Sequence, residues 1–67
     1  MKINNKLKES ILQQIDRAGI ESIGLFCVLT MVPMVDAYEF IKDAIPEHKE
    51  FCNKKIKAIK KFYGEDV

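Results

Sequence analysis

Ile23-Gly24-Leu25-Phe26-Cys27-Val28-Leu29-Thr30-Met31-Val32 is the stretch whose conformation decides the fold of this chain. Nearly every position is apolar, so periodicity alone does not separate a helix from a buried strand. Its β-branched residues suit a strand, and pairing with the same stretch of a second copy about a two-fold axis is the alternative arrangement. The rest of the chain favours a helix. No other segment reads as a strand, and a lone strand leaves its backbone N–H and C=O groups unpaired. Pro33 ends the element in either case, because it drives Val32 out of the α region. Ser22 is the candidate N-cap, which gives a helix over residues 22–32.

On the N-terminal side, Leu7, Ile11, Ile15 and Ala18 recur at helical spacing and predict a helix over residues 6–18 with Asn5 as N-cap. Gly19 is its stop signal. With glycine at C′, Ile15 and Ile20 take the two positions that pack together in a Schellman motif. On the C-terminal side, Asp36-Ala37-Tyr38-Glu39 fits a capping box, and Val35 and Phe40 stand where a hydrophobic staple requires them. That predicts a third helix over residues 37–45, broken at Ile45 by Pro46. A fourth, over residues 47–63, carries the stripe Cys52, Ile56, Ile59 and Tyr63, widened by Phe51, Ala58 and Phe62, and stops at Gly64. The fold expected is all-α: one domain over residues 1–67, a small bundle of three to four short helices, with the second helix as its central buried element and self-association completing the core.

Composition narrows the function classes. The chain has 67 residues, 48% hydrophobic and 31% charged, which is the balance of a small globular domain and not of a disordered tail. A chain of this length buries only about 60% of the surface it exposes when unfolded. Eleven Lys+Arg against ten Asp+Glu leave a net charge of +1, which does not indicate a strongly basic nucleic-acid module. The richness in Lys, Ile and Asn is compatible with an AT-rich bacterial or phage source. Cys27 and Cys52 both sit in apolar surroundings, and the opening Met1-Lys2-Ile3-Asn4-Asn5-Lys6 has no signal-peptide core. Free, buried thiols and a cytoplasmic location are expected, with a Cys27–Cys52 bridge as the minority alternative. The longest apolar run, residues 23–35, is shorter than the ~20 residues that span a bilayer, so no membrane role is expected.

Groups with catalytic potential are few. His48 and Cys52, four apart, offer a Cys–His pair, and Cys27 a third metal ligand. The close-spaced ligand pairs of zinc sites are missing, and no Gly-rich loop accompanies them. No enzymatic activity, metal or cofactor is expected. Association is the stronger reading. The segment over residues 23–35 is apolar all round, and three short helices cannot easily cover it. Leu25, Phe26, Leu29, Met31, Val32, Met34 and Lys55 are the candidate interface residues, the methionines adding deformable contact area. Lys55 falls inside an otherwise apolar arc, from which it can meet an acid of another chain or snorkel into water. Residues 20–45 hold Glu21, Asp36, Glu39 and Asp43 against one lysine, whereas the last helix holds six lysines against Glu47 and Glu50. Opposite signs on two halves favour docking of one on the other. The expectation is a small non-enzymatic protein–protein interaction module, homo-oligomeric, regulating or inhibiting a larger protein. The alternative is a nucleic-acid binder contacting phosphates through Lys54, Lys57, Lys60 and Lys61. A third class is an oligomer holding a small ligand between subunits.

Overall fold

The computed structural model describes residues 3–62, in which four α-helices and two short 3-10 turns follow one another: α1 Asn5–Ala18, a turn Ile20–Ser22, α2 Ile23–Thr30, α3 Met34–Ala44, a turn Pro46–His48, and α4 Lys49–Phe62. The chain is thus all-α over the described residues, and the deciding stretch is helical. The stop expected at Gly64 and the stripe position Tyr63 lie outside the described residues.

α1 starts at Asn5, one residue earlier than expected, and is capped by Asn4. Asn4, in extended conformation, accepts the Leu7 N–H on its side-chain oxygen at 2.8 Å. Capping there brings Ile3 to the position before the cap, where it packs against the core beside Leu7. Ile11 is fully buried, Leu7 and Ile15 are half-buried, and Ala18 is exposed at the helix end. Gly19 ends α1 as expected but not in a Schellman motif: at φ 86° and ψ 166° it lies outside the left-handed helical region, its own N–H donates to the Ile15 carbonyl at 2.8 Å, and a Cβ would meet a Glu21 side-chain oxygen at 2.9 Å. Glycine is favoured there by its positive φ, whereas the exposed Glu21 carboxylate can swing aside from a side chain.

Ser22 does not act as the expected N-cap. Its backbone is helical, because the 3-10 turn runs straight into α2, and a capping side chain needs an extended backbone. Its hydroxyl instead donates to the Gly19 carbonyl at 2.8 Å and accepts from the Gln14 side chain at 3.0 Å, tying α1 to the turn.

α3 begins three residues earlier than its capping box predicts. Pro33 takes the N-cap position, with no side-chain cap, and Asp36 lies in the first turn. There its carboxylate still faces the positive end of the helix dipole. The extra turn adds Met34 and Val35, both half-buried against the core, and that packing outweighs a local cap. Val35 and Phe40 pack against the same core, half-buried. Pro46 breaks the chain at Ile45 as expected.

α3 and α4 form the principal packed pair, and α1 and α2 pack against α3 and against each other. Among the described residues no polar or charged side chain is fully buried. α2 is not the central element. Only Ile23 and Cys27 of its eight residues are buried. A helix about 12 Å long has too little length to be wrapped by the three longer ones, so it lies at the edge with one flank inward.

Candidate functional site

The outward flank of α2 gathers four of the six exposed large hydrophobic side chains found among the described residues, counting Met31 just beyond its end. Leu25, Val28 and Leu29 share one face by helical spacing. They are 65%, 60% and 74% exposed, and Met31, in the following turn, is 87% exposed. These four side chains leave roughly 500 Å² of apolar surface bare, near the top of the ~300–600 Å² found for the largest patch on a monomer.

Met31 is also the one described non-glycine residue with positive φ, at 60°. It stands at the C′ position of α2. Beyond it the Val32 N–H reaches back to the Cys27 carbonyl at 3.0 Å, the long bond of a Schellman end. A side chain in this conformation costs about 1–2 kcal/mol.

The structure separates the candidate interface residues. Leu25, Leu29 and Met31 stand on the outer surface, Phe26 and Met34 are half-buried, and Val32, 6% exposed, is in the core. Val28 belongs to the outer face, although nothing in an all-apolar segment marks it out beforehand. Lys55 is exposed, and its ammonium lies 5.4 Å from the Phe51 ring centroid, one turn away on α4. A cation on an apolar arc is thus accommodated by an aromatic face. Lys54, Lys57, Lys60 and Lys61 are all exposed along α4.

A cleft of about 480 Å³ opens beside this face. Gly24 forms one wall from α2, Met34 and Tyr38 come from α3, and Lys55, Ala58, Ile59 and Phe62 from α4. Tyr38 is 3% exposed, and its ring stands 6.4 Å from that of Phe51 in a tilted arrangement. Among the described residues nothing hydrogen-bonds its hydroxyl, and that oxygen is not sealed from solvent. Burial and the neighbouring Cys27 and Cys52 raise the Tyr38 pKa above the usual phenol value, so the group is a donor at neutral pH. Gly24 leaves room beside the hydroxyl, from which a Cβ would lie 3.8 Å away. This site draws on three helices, and no local sequence pattern announces it.

The groups with chemical potential are dispersed. His48 lies in the turn before α4, not on the helix that carries Cys52. Cys27 and Cys52 are free and buried, and burial pushes both thiols up from their usual value, away from nucleophilic thiolate. Among the described residues no three His, Cys, Asp or Glu side chains converge on a metal-sized site. No helix there is long and apolar enough to cross a membrane. Compared with known proteins, the chain matches no protein family, no curated protein and no solved structure.

Proposed function

We propose that this protein is a small, non-enzymatic, cytoplasmic interaction module that self-associates through the outer face of α2 and regulates or inhibits a larger protein. The observation that carries the reading is the run of exposed Leu25, Val28, Leu29 and Met31 on a helix whose opposite flank is already in the core. Two such faces pressed together bury on the order of 1,000 Å², the lower bound of a specific interface. Exposed Glu21, Glu39 and Asp43 on one part of the chain and the lysines of α4 on another supply charges of both signs to orient the contact. Light scattering across a dilution series tests it: a mass above one chain that falls on dilution supports the proposal, and a single-chain mass at every concentration overturns it.

A second reading rests on the exposure of Lys54, Lys57, Lys60 and Lys61 along α4. On this reading the helix lies on nucleic-acid phosphates, and binding weakens steeply with salt. Absence of retention on duplex and single strands at low salt removes it.

A further inference from the structure

We propose that the cleft between α2, α3 and α4 is a binding site for a medium-chain aliphatic carboxylate, whose tail lies against Met34, Ala58 and Ile59 and whose head is held by Tyr38 and Lys55. Its volume, about 480 Å³, is that of small-molecule sites, which are mostly apolar with a few polar groups that fix orientation. The polar anchor of the site is Tyr38: its ring is buried, while its hydroxyl has no hydrogen-bond partner among the described residues and is open to solvent at the cleft, where a ligand's acceptor can reach it.

The ligand's chemistry follows from the lining. The phenol donates one hydrogen bond, and Lys55 supplies one positive charge at the same cleft. Both residues pack about Phe51, the ammonium 5.4 Å and the tyrosine ring 6.4 Å from its centroid. One cation and one donor match a single carboxylate. A phosphate dianion would leave charge uncompensated against apolar walls. The remaining lining is aliphatic or aromatic carbon, which asks for an apolar tail.

The proposal stands apart from self-association, and the test keeps the two separate. The full chain is titrated with octanoate, decanoate and dodecanoate below their aggregation thresholds, with decanol and decylamine as controls. Binding is followed by calorimetry and by amide shifts in NMR. Affinity is expected to rise about fourfold per added methylene until the cleft is full. Amide shifts are expected to centre on Gly24, Tyr38 and Ala58. Tyr38→Phe, which keeps the ring, should weaken decanoate about tenfold, and Lys55→Gln up to about fivefold. Gly24→Ala adds a methyl 3.8 Å from the hydroxyl, an ordinary contact. It should raise the melting temperature, as alanine does in a helix, while lowering decanoate affinity. Three results overturn the proposal: no saturable binding of any carboxylate, decanol binding as tightly as decanoate, or shifts centred on Leu25 and Leu29.

Discussion

The backbone N–H of Val32 donates to the carbonyl of Cys27 at 3.0 Å, and the chain closes this bond only by passing through Met31 in left-handed conformation. The bond lets α2 end at Thr30 and turn the Val32 side chain into the core before Pro33. Glycine suits such a position without steric cost, and methionine does not. Met31→Gly is therefore expected to stabilise the fold by on the order of 1 kcal/mol in urea unfolding. Met31→Ile, β-branched, should destabilise it. Because Met31 is 87% exposed, the glycine variant should also weaken self-association, so that fold stability and assembly move in opposite directions.

α1 and α4 each alternate polar and apolar residues at helical period, so Ile11, Cys52 and Ile56 are legible as inward positions. Gly19 and Pro46 are legible as punctuation, because each acts through its own backbone. In α2 every face is apolar, and the pattern is silent about which flank is buried; Ile23 and Cys27 are chosen by packing against other helices. The start of α3 is misread for a related reason. The capping box at Asp36 is a local signal, and the packing of Met34 and Val35 on the core that overrides it is tertiary. The cleft is furthest from view, since Gly24, Tyr38 and Lys55 become neighbours only through three helices.

The cap of α1 gives a sharper local test. Asn4→Ala removes the acceptor that meets the Leu7 N–H at 2.8 Å and should cost about 1 kcal/mol. Asn5→Ala, one residue later and already inside the helix, should cost nothing measurable and can stabilise slightly. Thermal unfolding of the two variants side by side decides which asparagine caps.

Alkaline unfolding should report the buried acids. Burial raises the pKa of Cys27 and Cys52 above the ordinary thiol value of 9.0, and burial together with the two cysteines raises that of Tyr38 above 10.0. Above those ordinary values the unfolded chain loses protons that the folded chain retains, so stability falls as pH rises. Near neutral pH these groups are protonated in both states and contribute no pH dependence. Urea midpoints should therefore be insensitive to these groups near neutrality and drop beyond about pH 9. Cys27→Ala and Cys52→Ala should each flatten that drop while costing stability through lost packing. In the native protein at neutral pH both thiols should react with a disulfide reagent only as fast as the fold opens.

Leu29 and Ile23 stand on opposite flanks of α2, one 74% exposed and the other fully buried. Aspartate at the two positions should therefore have different consequences. Ile23→Asp places an unpaired charge in the core, which costs several kcal/mol and should unfold a chain of this size. Leu29→Asp leaves the charge in water. Its cost to a single folded chain, through the unfavourable end of the helix dipole, is no more than about 1 kcal/mol. Far-UV circular dichroism should accordingly show Leu29→Asp folded and Ile23→Asp not. In light scattering, Leu29→Asp should lower the mass to that of one chain at concentrations where the parent is larger, because a carboxylate buried across the contact has no partner there. A Leu29→Asp protein that folds and keeps the parent's mass would mean that copies meet through some other surface.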